Sequence, residues 1–215
     1  MALALFDLDN TLLNGDSDHA WGLFLAEIGA VNAAKQKTMQ DYFYQQYLDG
    51  SLNIVEFLNF QLAPLGRYSM HQLHAWRSDF LHQVVQPMLQ SGKTDLLEPH
   101  RRRGDDIVIV TATNDFITRP IADLLGVDNL IATTAELKNG AYTGKSSGVP
   151  CFQQGKVTRV SEWIATNEKA WAGSYFYSDS INDRPLLERV DTPVAVTPDS
   201  QLRSCAKQNN WPIID

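Results

Sequence analysis

Leu3-Ala4-Leu5-Phe6-Asp7-Leu8-Asp9-Asn10-Thr11 decides the fold, because an apolar run ends there on two closely spaced acids. Residues 3–8 are too few for a helix and suit a buried strand. Strand alternation would point Asp7 and Asp9 to the same side, and the chain is leaving the strand at that point. Both carboxylates then face one crevice at the carboxyl edge of a sheet, where open α/β sheets bind ligands.

Residues 107–111 (Ile-Val-Ile-Val-Thr) form a second β-branched run. Weaker strand candidates cover 129–132, 174–177 and 193–196. Helical patterns lie between them. Residues 115–125 put Ile117, Ile121, Leu124 and Leu125 on one face and stop at Gly126. Residues 156–166 space Val157, Val160 and Ile164 as a helix does, and Asp183-Arg184-Pro185 reads as a helix start. Asn139-Gly140 and Gly144 predict a hairpin within 138–151. Strands alternating with helices imply an α/β fold, a parallel sheet covered on both faces. Residues 16–86 break the alternation. Their amphipathic, aromatic-rich segments, punctuated by Gly29, Gly50 and Gly66, read as an inserted helical subdomain.

A chain of 215 residues, 44% hydrophobic and 20% charged, buries a full core with room for such an insertion. The net charge of −7 disfavours nucleic acid and anionic membrane as partners, because both select basic proteins. Cys151 and Cys205 suggest no disulfide framework, and no apolar run reaches transmembrane length. The expectation is a soluble protein of the cytoplasm. Nothing in the sequence encodes a subunit count. Arg101-Arg102-Arg103 reads as a helix end, where cations offset the dipole.

Asp179 and Asp183 follow the 174–177 strand candidate. If that strand lies beside the first, three or four carboxylates converge. Two bare carboxylates ~4 Å apart repel by about 4 kcal/mol at an effective dielectric of 20. A hard divalent cation relieves this, and an all-oxygen site with few protein ligands suits Mg²⁺.

Phe6-Asp7-Leu8-Asp9-Asn10-Thr11-Leu12-Leu13 resembles the first motif of the haloacid dehalogenase (HAD) superfamily, DxDx[TV]. Thr111, Lys156 and Asp179-Ser180-Ile181-Asn182-Asp183 resemble its second, third and fourth motifs, in the family's order. The insertion resembles the C1-type cap of subfamily IB, which includes phosphoserine phosphatases. Within it, Asn14-Gly15-Asp16-Ser17-Asp18-His19-Ala20-Trp21 is most similar to a branch that includes histidinol-phosphate phosphatases.

The resemblance implies a Rossmann-like core, residues 1–14 and 88–215, with a helical cap at 15–87. It implies a phosphomonoesterase in which Asp7 is the nucleophile and forms an aspartyl-phosphate, while Asp9 is the acid and base. Mg²⁺ would be held by Asp7, the Asp9 carbonyl and Asp179, with Asp183 bound directly or through water. Thr111, Lys156 and Asn182 would contact the phosphoryl group, joined by backbone N–H groups around Leu8–Asn10. The substrate would be a small phosphorylated metabolite. Asp16 is the candidate for reading a substrate amine, with helix capping as its other reading; Asp18 and His19 read as first-turn surface residues. Phosphoserine would also want a cap arginine, Arg67 or Arg77, whereas histidinol phosphate has no carboxylate. A phospho-accepting signalling module would not need Asp9, and a dehalogenase would need neither Asp9 nor Mg²⁺.

Overall fold

A computed structural model describes residues 2–215; Met1, the first residue of the expected core range, lies outside the described residues. The strands are β1 (Leu3–Phe6), β2 (Asp106–Asn114), β3 (Asn129–Lys138), β4 (Ala141–Ser147), β5 (Tyr175–Ser178), β6 (Thr192–Val196) and β7 (Ile213–Ile214). They form one sheet in the order β4-β3-β2-β1-β5-β6-β7, parallel except for β4, which runs antiparallel to β3. This is the α/β architecture the sequence implies. The β3–β4 hairpin turns through Asn139 (φ 52) and Gly140 (φ 78), the pair of positive φ angles that an Asn-Gly turn supplies.

Alternation along β1 and β2 builds two cores. Ala4, Phe6 and Ile109 face one layer, with Phe116, Ile117 and Ile121 of α7 (Asp115–Leu124). Leu3, Leu5, Val108 and Val110 face the other. There they meet α8 (Gln154–Thr166), α9 (Arg184–Leu187) and α10 (Ser200–Asn209).

Between β1 and β2 lie α1 (Ser17–Glu27), α2 (Ala33–Leu48), α3 (Ile54–Leu62), α4 (Met70–Phe80), α5 (Gln86–Gln90) and α6 (Glu98–Arg103). A 3₁₀ turn, Ala63–Gly66, follows α3, and a π-helical turn, Leu81–Val85, joins α4 to α5. The starts follow side-chain acceptors: Asp16, Asn32, Asn53 and Ser69 each cap the helix that follows, and Ser69 with Gln72 makes a capping box. Trp21 stacks on Phe24, and Phe80 and Phe116 pack edge-on or tilted against this pair, which ties α1 and α4 to the core. Burying each such ring is worth about 1.5–3 kcal/mol. The arginine run ends α6 at Gly104 (φ 68).

Candidate active site

Asp7 stands one residue beyond β1, and its N–H continues the parallel ladder by donating to Tyr177 O at 2.9 Å. Because β1 lies directly between β2 and β5, the loops after these three strands open at one edge of the sheet. The chain then reverses at Asn10 (φ 57), a conformation asparagine tolerates. Asn10 N–H donates to Gly15 O at 2.9 Å, so this amide of the expected anion cradle is already committed.

Thr11 Oγ1 lies 3.1 Å from Asp7 Oδ2 and 3.1 Å from Asp179 Oδ1. One hydroxyl carries one proton, so the two carboxylates share a single donor. Lys156 Nζ donates to Asp7 Oδ1 at 2.8 Å and to Asp183 Oδ2 at 2.7 Å. Asp183 Oδ2 also accepts from Ser178 Oγ at 2.7 Å. Lys156 is 2% exposed. Gly155 makes its approach feasible, since a Cβ there would sit 2.0 Å from Pro150 O. Lys156 is therefore a residue of the crevice and not of the solvated surface.

Asp9 is held from two sides: Oδ1 accepts from Ser17 N–H at 2.7 Å and Oδ2 from Thr113 Oγ1 at 2.8 Å. Thr111 Oγ1 accepts from Thr113 N–H at 3.2 Å, leaving its proton free for a ligand. Asn182 accepts from Gln153 Nε2 at 3.0 Å and donates to Tyr47 O at 3.1 Å, with one amide hydrogen to spare. Asp16 Oδ1 caps α1 through Asp18 N–H and His19 N–H, both at 2.9 Å, and Asp16 also lines the pocket. Its two readings are compatible. Asn114 caps α7, as its place before Asp115 suggests.

One pocket contains all of Asp7, Asp9, Asp16, Thr111, Lys156, Asp179, Asn182 and Asp183. The inserted helices add Asp18, His19, Gln40, Phe43, Tyr44, Tyr47, Phe57 and Gln61 to its lining. Asp18 is a correction to the sequence reading. It is buried, because Asp18, Trp21 and Leu25 share the inward face of α1. Among the described residues no arginine lines this pocket. Arg77 donates to Phe116 O at 2.8 Å and lies over the Phe116 ring, and Arg67 lines a separate cleft beside Thr143 and Lys145. Sequence reasoning also passed over Thr113 and Gln40; Thr113 lies two residues beyond the motif threonine, which is the only local signal.

The electrostatics are lopsided. Burial pushes the Asp7 carboxyl up to about 7, with Asp183 and Asp9 adding to it and Lys156 opposing. Burial and then Asp16 push Asp9 up to about 6, against the Ser17 and Thr113 hydrogen bonds. Burial, Asp7 and Asp183 hold Asp179 well above the usual carboxylate range. Burial lowers the Lys156 ammonium, but Asp183 and Asp7 outweigh it and keep it above an ordinary lysine. One fixed cation thus faces several carboxylates. Among the described residues no three Asp, Glu, His or Cys side chains form a closed metal cage. Two carboxylate oxygens sharing one hydroxyl proton, in an all-oxygen donor set, fit a hard cation that keeps water in its shell.

The family description "haloacid dehalogenase-like hydrolase" matches residues 4–188. The chain belongs to that family. It is 42% identical, over 99% of its own length and 98% of the relative's, to a histidinol-phosphatase of Neisseria meningitidis. It is 29% identical to a phosphoserine phosphatase of Mycobacterium tuberculosis, over 100% of this chain and 70% of that protein. A crystal structure of a protein of unknown function from Bordetella pertussis superposes with TM-score 0.93 at 43% identity, over 100% of this chain and 98% of that one. A phosphoserine phosphatase holding a phospho-aspartyl intermediate analogue shares the fold, at TM-score 0.70 and 16% identity over 99% and 92% of the two chains. The protein is an enzyme, a phosphatase of this family.

Proposed function

We propose that the protein is a Mg²⁺-dependent phosphomonoesterase that works through a phospho-aspartate on Asp7, and that histidinol phosphate is its substrate. The observation that carries the chemistry is the shared geometry of Asp7: Lys156 ties it to Asp183, and Thr11 ties it to Asp179.

Asp7 attacks phosphorus, the P–O bond to the alcohol breaks, and Asp9 gives the departing oxygen its proton. Water then attacks the phosphoryl group and gives a proton to Asp9, releasing phosphate and freeing Asp7. Asp9 suits both roles, since a carboxyl near 6 exchanges its proton at neutral pH. Lys156, Thr111 and Asn182 face the charge that develops on the phosphoryl oxygens. Asp7, the Asp9 carbonyl and Asp179 would hold the metal, with Asp183 reaching it through water. Bound there, Mg²⁺ would screen Asp7 from the phosphate dianion. Residues 15–87 act as a cap that excludes water over a core of 1–14 and 88–215. Tyr47 on the cap side touches Ser180 and Asn182 on the core side, which favours that division.

Similarity to a histidinol-phosphatase and the lack of an arginine in the pocket favour an amine-bearing ester without a carboxylate over phosphoserine. Two free, buried cysteines accord with a cytoplasmic enzyme. The test is phosphate release from histidinol phosphate, phosphoserine, phosphocholine and phosphoethanolamine, with Mg²⁺ and with EDTA. The expected result is the highest kcat/KM for histidinol phosphate and loss of activity in EDTA. No release from any ester, or equal rates in EDTA, would overturn the reading.

A further inference from the structure

Asp18 is a buried acid to which neither the fold nor the phosphoryl chemistry gives a task. Cap duty for α1 belongs to Asp16. No lysine, arginine or histidine pairs with Asp18 among the described residues. Its carboxylate has only uncharged amide neighbours among the described residues, Asn114 Nδ2 at 3.4 Å and the Gln61 side chain. A buried charge left this way is costly unless something completes it.

Gln40 gives a second, independent sign. Its side chain is 6% exposed, and its Nε2 donates to His19 O at 2.9 Å. A carbonyl only accepts, so the amide cannot be reversed, and Oε1 is left buried without a partner. Gln61 also donates from Nε2 to a backbone carbonyl, Asp18 O at 3.1 Å. Gly22 admits this packing, since a Cβ there would lie 2.5 Å from Gln40 Nε2. Asp18 and Gln40 line the same end of the pocket, beside Phe43, Tyr44 and Phe57. This part of the lining therefore presents an acid without a cationic partner, one unpartnered amide oxygen and aromatic faces.

We propose that Asp18 and Gln40 form the leaving-group subsite, accepting N–H donors from a cationic or heteroaromatic end of the substrate and excluding esters that carry a carboxylate there. This rests on the phosphomonoesterase reading above. A substrate ammonium or imidazolium supplies the positive charge that Asp18 lacks and the N–H that Gln40 Oε1 lacks. A substrate carboxylate adds a further acid beside Asp18 and Asp16, with no lysine or arginine next to them to offset its lost hydration.

The test compares kcat/KM of wild type, Asp18→Asn and Gln40→Leu on histidinol phosphate and on glycerol 3-phosphate, which offers no N–H donor. The expected result is a fall of about ten-fold or more in the preference for histidinol phosphate in Asp18→Asn, carried by KM, and a smaller fall in Gln40→Leu. Equal losses on both esters, as a purely structural role gives, would overturn the proposal. Calorimetry on wild type alone provides a readout that needs neither turnover nor a stable variant. Histamine should bind about ten-fold or more tightly than imidazole-4-acetate; equal binding, or none of histamine, overturns the subsite. Failure of the phosphatase reading would instead show as no phosphate release while histamine still binds.

Discussion

At Asp18 the fold holds a carboxyl pushed up to about 8 by burial, with Asp16 and Asp9 adding to it. Its ordinary value is 3.8, so between roughly pH 4 and 8 the folded state binds a proton that the unfolded state has lost. Stability from this group is therefore greatest at low pH, falls as pH rises through that window, and stays lost above it. Each pH unit in the window is worth about 1.4 kcal/mol at most. Asp18→Asn removes the charge and keeps the shape. Its Tm should match wild type near pH 4 and exceed it at pH 8.5 by on the order of 5 °C. A scanning-calorimetry series in metal-free buffer that shows no gain at high pH would contradict this. An acid retained at such a cost is the signature of a binding group rather than a structural one. That Asp7, Asp9, Asp179 and Lys156 line one pocket was legible, the acids from their places after strands and Lys156 from its likeness to the family's third motif. Asp18 was misread as a surface residue, because a charged residue in a first turn is ordinarily solvated, whereas its register with Trp21 and Leu25 turns it inward. Thr113 and Gln40 were not legible, since their partners, Asp9 and His19, lie across the fold.

At the scale of elements, the inserted helices close on the core at two separate places. The end of α2 docks on the loop after β5 and on α10: Tyr47 O takes Asn182, and Leu48 O takes Gln201 Nε2 at 3.1 Å. The 3₁₀ turn after α3 docks on β4, where a Cβ on Gly66 would lie 2.7 Å from Thr143 O and 2.9 Å from Gly144 N. Both neighbours are backbone and cannot rotate aside. Gly66→Ala should push turn and hairpin apart, at a cost of about 1–3 kcal/mol, with a lower Tm and a higher KM. An unchanged Tm would show that this contact is loose. The strands of the sheet centre were readable from β-branched runs, and the hairpin from Asn-Gly. Neither docking contact was, because Gly66 reads locally as a turn residue and shows its purpose only against Thr143. The two-residue β7 and the π-helical turn carry no periodic signal at all.

The whole molecule is acidic, at −7, and draws several of those charges into one pocket around a single lysine. Such a molecule is stabilised by whatever cation its native state alone collects. A ligand at a hundred times its Kd adds about 2.7 kcal/mol, and for a chain of this length each kcal/mol moves Tm by roughly 2–4 °C. Metal-free protein titrated with MgCl₂ should therefore gain about 5–10 °C beyond a NaCl control of equal ionic strength, which separates site binding from general screening. Asp179→Asn removes one of the two carboxylates that share the Thr11 hydroxyl. Two opposite effects should follow from that one change: a higher Tm without metal, because a buried like charge is gone, and a blunted response to Mg²⁺. A variant that lost Tm without metal and still responded fully would mean that Asp179 supports the fold and the cation sits elsewhere.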